Sequence, residues 1–348
     1  MSVTAKPILE FAIKNWASDI HITEWDYVAF RVNGHINKLE SAGKLSSDKT
    51  KKMLFELMWE NKETYKLFLA AKDLDFAHKD EESGISFRVN AFFKLGRIGI
   101  VMRQIAWKAR DMSELGLPEW VEKFTKAKQG LILVTWPTGS WKSTSMVSIL
   151  DKINEERKEH IITIEDPVEF IFEDKKSIFS QRELWRDTES FASSLKAAMR
   201  EDPDIVMVWE MRDPKTVEAA MELAETGHLV ISTMHTSGSV QTITRLVNFF
   251  PADVQNSVRY KLADILFWVL SQRLIPTPDR KWRRGIYELM FMTSWIKNLI
   301  RTWEFNQIAN NIEMGSNEWM IAMKTYADRL ADVWEINEED YINFFQED

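Results

Sequence analysis

The stretch Leu133–Thr144, "LVTWPTGSWKST", decides how this chain is read. It has the outline of a phosphate-binding loop, G-x-x-x-x-G-K-[ST], with Trp136 and Trp141 standing at both glycine positions. Such a loop works because successive backbone N–H groups point at phosphate oxygens and the following helix adds its positive end. Glycine supplies left-handed backbone angles and close approach. Lysine then reaches the terminal phosphates and a Ser/Thr hydroxyl holds magnesium. Pro137, Thr138, Gly139, Ser140, Lys142, Ser143 and Thr144 remain as candidates for holding the nucleotide. An apolar strand, "GLILVT", precedes them, and a helix running from Lys142 to about Glu156 follows. Trp141 is the larger departure, because its indole would stand beside the phosphates.

Working outward, short apolar strands alternate with helices. "IITIE" (161–165), "DIVMVWE" (204–210) and "HLVISTMHT" (228–236) are strand segments. "SFASSLKAAMR" is a helix with Thr188 or Ser190 positioned to cap it. "PKTVEAAMELAETG" is a helix with Pro214 at its start and Gly227 just past its end. This alternation predicts a mostly parallel sheet covered on both faces. Ligands bind such sheets at the carboxyl ends of the strands, where the chemical residues fall. Glu165, Asp166 and Glu169 follow one strand and include a candidate water-orienting base. Glu210 follows another, where an acid governs magnesium or its water ligands. His228 and His235 flank a third, and one of them could sense the γ-phosphate. Each residue alone reads more simply as a solvated strand end or a structural histidine. Their common order is what favours chemistry.

Upstream, residues 1–110 read as a small α/β domain. "ILEFAIKNWASDIHI" suggests a helix running into a strand, and "VAFRVNGHINKLE" alternates as a strand with a turn at Asn33-Gly34. A helix carries Met53, Leu54, Leu57 and Met58 on one face, with Ser47 or Asp48 as its N-cap. A β-meander follows, with a turn near Gly84. Residues 111–120, around Gly116-Leu117-Pro118, are the expected linker, and 121–348 the second domain. From about Pro251 the chain is expected to be mostly helical, including "VQNSVRYKLADILFWVLSQRL" and "SWIKNLIRTWEFNQIANNIEMG".

Bulk numbers bound the function. The 348 residues exceed one ordinary core. Net charge −8 argues against a nucleic-acid translocase, whose footprint is usually basic. The absence of cysteine excludes disulfides and cysteine-based zinc sites. The start lacks a basic end followed by an apolar core, and no apolar run reaches the roughly 18 residues a membrane span needs, so a cytoplasmic location is expected.

The order of Lys142-Ser143, "ITIEDPVEF", "SQRELWRDTESF", "AMREDPDIVMVWEMRD" and "ETGHLVISTMHTS" resembles the secretion-superfamily ATPases of type IV pili and type II secretion. "SWIKNLIR" at Ser294–Arg301 places the likeness with the pilus retraction branch, and "ASDIHI" is similar to that family's N-terminal PAS-like domain. The resemblance implies an α/β fold: a PAS-like domain, then a RecA-like P-loop ATPase domain with a helical C-terminal part. It implies ATP and Mg²⁺ as cofactors, with Lys142 on the β/γ-phosphates and Ser143 and Glu210 on the metal. Glu169 would be the general base with Glu165 beside it, and His235 the histidine-box residue. Arg88 and Arg103 would reach a neighbouring subunit's nucleotide. The implied partners are five more copies in a hexameric ring, whose N-terminal domains move during turnover, and the inner-membrane pilus platform.

Against this family, tryptophan recurs where glycine is usual: Trp136, Trp141, Trp185, Trp209, Trp268, Trp303 and Trp319, with Trp25, Trp282 and Trp334 as further instances. Glycine falls to 12 residues, well below a share of about 7%, while tryptophan rises to 15. Each tryptophan at a positive φ costs on the order of 1–3 kcal/mol, so several rival a domain stability of roughly 5–15 kcal/mol. The phosphate loop is therefore expected to depart from its usual shape near Trp141. Three explanations stand: a degenerate relative that no longer hydrolyses ATP, a scaffold altered by design, or a chain whose native residues at these sites are different. The first two make the protein a non-hydrolysing scaffold with a blocked loop, the alternative to a working motor.

Overall fold

The computed structural model describes residues 4–15, 17–32, 35–80, 82–104, 109–135, 142–279, 283–315 and 319–346. Two compact units form: Met1–Lys108 with Asp166–Ile171, and Ala109–Glu165 with Phe172–Asp348.

The first unit runs α1 (Ala5–Lys14), β1 (Asp19–Thr23), β2 (Ala29–Val32), β3 (His35–Lys38), α2 (Ser47–Leu57), α3 (Lys62–Ala71), β4 (Asp73–Lys79), β5 (Ser86–Lys94) and β6 (Arg97–Gln104). Its sheet has the order β3-β2-β1-β6-β5-β4, antiparallel throughout. The helices are amphipathic. Ile8, Leu9 and Ala12 of α1 and Met53, Leu54 and Leu57 of α2 are buried at helical spacing. They share one core with Ile20, Phe87, Val89, Ile100 and Met102 of the strands. The N-cap of α2 is Ser46, which accepts from the Lys49 N–H, and not Ser47 or Asp48. Ser46 keeps the extended backbone a cap requires, whereas Ser47 already belongs to the helix.

The second unit continues with β7 (Gly130–Thr135), α4 (Lys142–Glu156), β8 (His160–Glu165), β9 (Ile178–Glu183), α5 (Phe191–Ala198), β10 (Ile205–Val208), α6 (Pro214–Glu225) and β11 (Leu229–Met234). It ends with α7 (Ser239–Asn248), α8 (Gln255–Ile265), β12 (Leu266–Pro276), β13 (Arg283–Phe291), α9 (Ser294–Thr302), α10 (Asn306–Met314), α11 (Met323–Asp332) and α12 (Glu338–Gln346). The sheet order is β13-β12-β7-β11-β10-β8-β9, parallel except for β13. Every residue of β7, β10 and β11 is buried, as strands covered on both faces require. Residues 109–129 belong to this unit. Tyr287 donates to the Leu115 carbonyl and Tyr326 to the Gly116 carbonyl.

The expected helix across 254–274 holds only to Ile265. Leu266–Pro276 is instead an eleven-residue strand between β7 and β13. Its apolar run fits a doubly covered strand as well as a buried helix, and periodicity alone does not separate the two. The helical C-terminal part is therefore interrupted by two strands. Of the tryptophans placed at glycine positions, Trp25, Trp185, Trp303, Trp319 and Trp334 have positive φ, and so has Trp59. Trp268 is buried within β12, and Trp209 is buried just past the end of β10. Trp136, Trp141 and Trp282 lie outside the described residues, as does the expected distortion near Trp141.

Phe68 is fully buried and stacks on Phe93 at 5.1 Å in the first unit. Phe68→Ala is expected to destabilise that unit by about 3–5 kcal/mol, measured by chemical denaturation.

Candidate nucleotide site

In the second unit, parallel pairing forces the carboxyl ends of β7, β8, β10 and β11 onto one edge of the sheet. The register is tight: Thr135 pairs with Met234, and Val208 lies beside Ser232 and Ile164. β8 ends on Glu165, and Glu210 and His235 follow the ends of β10 and β11. β7 leads into residues 136–141, outside the described residues, and α4 begins at Lys142. The nucleotide-contacting candidates Pro137, Thr138, Gly139 and Ser140 therefore lie outside the description, and only the backbone of Lys142 and Ser143 is inside it. Thr144 stands in the first turn of α4, half-buried.

Glu210 and His235 come together. Glu210 is 3% exposed, and one of its carboxylate oxygens lies 3.2 Å from His235 Nε2 and 2.7 Å from Arg212. Neighbouring strands bring residues 25 apart in sequence to one point. Glu165 is 1% exposed and accepts from Thr163 Oγ1 at 2.7 Å and Gln181 Nε2 at 3.2 Å. Both donors meet Oε1, and a buried carboxylate with one oxygen doubly held is fixed in direction, as a charge-positioning group must be. The other histidine, His228, sits at the amino end of β11, where Nδ1 meets Thr226 Oγ1 and the Leu223 carbonyl. It tidies the end of α6 and stands away from the carboxyl edge.

Glu169, Arg88 and Arg103 belong to the first unit. Arg88 Nη1 lies 3.4 Å from Glu169 Oε1, and its guanidinium also approaches Asp75 at 3.8 Å. Arg103 Nε donates to Asp19 Oδ1 at 2.8 Å, across a directly paired position of β1 and β6. Burial alone would raise the Asp19 carboxyl. The hydrogen bonds from Arg103 and Ser18 outweigh it and hold the group below the usual carboxylate range.

Sequence reasoning missed the groups that β12 and β13 carry. Thr135 Oγ1 shares a buried hydrogen bond with Ser271 Oγ at 2.8 Å, and Ser145 Oγ donates to Gln272 Oε1 at 2.7 Å. These contacts tie both ends of the phosphate-loop segment to β12, and reading that strand as helix hid them. Glu288 of β13 accepts the Ser239 N–H at 2.7 Å, at the first turn of α7. Burial raises its pKa, against the lowering by its bonds to Ser239 and by Arg273. An unexpected strand pairing produced this site, so no local signal marked it.

The fold and its carboxyl edge define an α/β ATPase unit of the phosphate-loop type, joined to a small antiparallel unit. The sequence family described as "Type II/IV secretion system protein" matches residues 2–331. The chain belongs to that family. It is 39% identical over 311 residues to the type IV pilus retraction ATPase PilT of Pseudomonas aeruginosa, covering 89% of each chain. It is 37% identical over 312 residues to a twitching motility protein of Neisseria gonorrhoeae, covering 88% of this chain and 82% of that one. The crystal structure of the pilus retraction motor PilT with bound ADP is similar at a TM-score of 0.90 and 39% identity, covering 98% of this chain and 96% of that one. The ATPase DotB of Legionella pneumophila is similar at 0.88 and 26% identity, over 99% and 96% of the two chains.

A raised native pKa means the folded state holds its proton more tightly than the unfolded chain. Stability from Glu288 is therefore fully present below the ordinary glutamate value and lost as pH rises from there through the raised folded-state value. Glu288→Gln is expected to flatten that loss, so the difference in melting temperature between variant and parent grows from pH 4 to pH 7.

Proposed function

We propose that this chain is an ATP-hydrolysing motor of type IV pilus retraction, driving twitching motility. It works as a homohexamer in the cytoplasm, docked on the inner-membrane pilus platform, with residues 1–110 as a PAS-like domain, 111–120 as linker and 121–348 as the ATPase domain. The observation that carries this reading is the buried Glu210 carboxylate set against the half-buried His235 at the carboxyl edge, next to the strand that leads into Lys142. A scaffold that had abandoned its chemistry has no need to hold a carboxylate in that position at the cost of burying it. The similarity to retraction ATPases over nearly the whole chain supports the same reading.

The chemistry is in-line attack of water on the γ-phosphate, in which the protein acts by position and charge. Lys142 neutralises the β- and γ-phosphates. Glu169 takes the proton of the attacking water, and Glu165 supports it. His235 senses the γ-phosphate through its contact with Glu210. Arg88 and Arg103 supply positive charge to the nucleotide of an adjacent subunit. The oxygen donors Ser143 and Glu210 suit a hard cation, and would hold Mg²⁺. The metal contributes neutralisation of charge developing on the phosphates.

Glu169→Gln is expected to reduce ATP turnover by about 10²–10⁴-fold, the usual share of a proton-transfer group, while a fluorescent ATP analogue still binds. Arg103→Ala is expected to reduce turnover of the assembled ring by about 10³-fold or more. Unchanged turnover in both variants would remove the assignment of these roles. Binding of the same analogue to the chain, beside its Trp136→Gly/Trp141→Gly variant, tests the motor itself. Failure of both proteins to bind nucleotide overturns it.

A further inference from the structure

Three helices end in the same way. After α9, the Glu304 N–H bonds to the Leu299 carbonyl at 2.9 Å and the Trp303 N–H to Ile300 at 3.4 Å. After α11, Glu335 bonds to Leu330 at 2.9 Å and Trp334 to Ala331 at 3.0 Å. After α2, Glu60 bonds to Phe55 at 2.9 Å and Trp59 to Glu56 at 3.0 Å. This paired bonding is the Schellman ending, whose penultimate residue turns left-handed and is usually glycine. Trp303, Trp334 and Trp59 take that place with φ of 67°, 59° and 49°.

The chain contains its own control. Helix α6 ends in the same motif, with His228 bonded to Leu223 and Gly227 to Ala224. There the left-handed residue is Gly227, at φ 97°. Turns repeat the pattern. Asp26 bonds back to the Thr23 carbonyl, and Trp25 fills the third turn position at φ 64°, where glycine or asparagine is normal. Trp185 and Trp319 also have positive φ, at 66° and 67°.

Tryptophan supplies six of the ten non-glycine residues with positive φ among the described residues, though it makes up only 15 of the 348 residues. A bulky side chain there is a genuine outlier. Burial does not offset the strain, since all six residues are between 41% and 77% exposed and the ring contacts of Trp59, Trp303 and Trp319 are surface ones. Drift by single substitutions would not send one residue type repeatedly to one backbone conformation.

We propose that the cell that makes this protein inserts glycine, not tryptophan, at the positions of Trp25, Trp59, Trp185, Trp303, Trp319 and Trp334. A single codon accounts for the pattern. UGA is one base from the tryptophan codon UGG and one base from the glycine codon GGA, and bacterial lineages differ in how they decode it. Reading UGA as tryptophan where the cell reads glycine replaces only those glycines that UGA encodes. Gly227 would then be encoded by an ordinary glycine codon. Trp295 lies inside α9 on helical backbone, where the left-handed argument does not apply, and it is the control expected to remain tryptophan. Trp136 and Trp141 lie outside the described residues. Under the same decoding the loop "LVTWPTGSWKST" regains both of its glycines, a step that rests on the nucleotide-site reading above.

Peptide mass spectrometry of the protein purified from its own cells reads the positions directly. The expected result is a tryptophan-to-glycine mass deficit in the peptides spanning Trp59, Trp303 and Trp334, with Trp295 intact. Tryptophan at all four positions overturns the proposal. The gene gives a second measurement, with UGA expected at the six positions and UGG at Trp295; UGG throughout overturns it. In the tryptophan-bearing chain, Trp303→Gly and Trp334→Gly are each expected to raise the melting temperature and Trp295→Gly to lower it. A fall in all three argues against the backbone reasoning. None of these readouts depends on ATP, so their failure leaves the motor reading to its own nucleotide-binding test.

Discussion

The parallel pairing of β7, β11, β10 and β8 is the constraint on which the second unit depends. Parallel strands point their carboxyl ends the same way, so the residue after each strand arrives at a common edge. The pairing is maintained because these strands are buried on both faces and each backbone group finds its partner in the ladder. Glu210 and His235 meet because β10 and β11 are neighbours in register, and Glu165 is fixed because β8 and β9 flank it with Thr163 and Gln181. The helices α4, α5 and α6 cover the sheet and leave its edge free for chemistry.

The first unit follows a different rule. Its strands pair antiparallel, and α1 and α2 bury one apolar stripe each against the sheet. Charged residues therefore collect on the sheet's strand surface, where Arg103 meets Asp19 and Arg88 meets Asp75. The exposed Arg88–Asp75 pair contributes little to stability, about 0–1 kcal/mol, whereas Asp19 is buried and Arg103 satisfies its carboxylate.

The tryptophans expose a conflict between two levels of the same chain. At the helix ends and turns the surrounding hydrogen bonds demand a left-handed residue, and the residue present resists it. Local preference and tertiary context usually agree in a foldable sequence. Disagreement repeated with one residue type, at exposed sites outside the catalytic edge, has the character of a substitution rule and not of a functional strain.

Much of this protein was fixed by local sequence. The strand-helix alternation, the start of α6 at Pro214 and its end at Gly227, and the polar groups after each strand are all legible, because caps, breakers and period act over a few residues. The glycine-like character of Trp185, Trp303 and Trp319 was legible too, from motif position alone. Tertiary structure decided the rest. Leu266–Pro276 became a strand because β7 offered it an open edge, and that choice placed Ser271, Gln272 and Glu288 beside the loop and α7. The pairing of Glu210 with His235 likewise depends on which strands are neighbours, a long-range choice that no window of sequence contains.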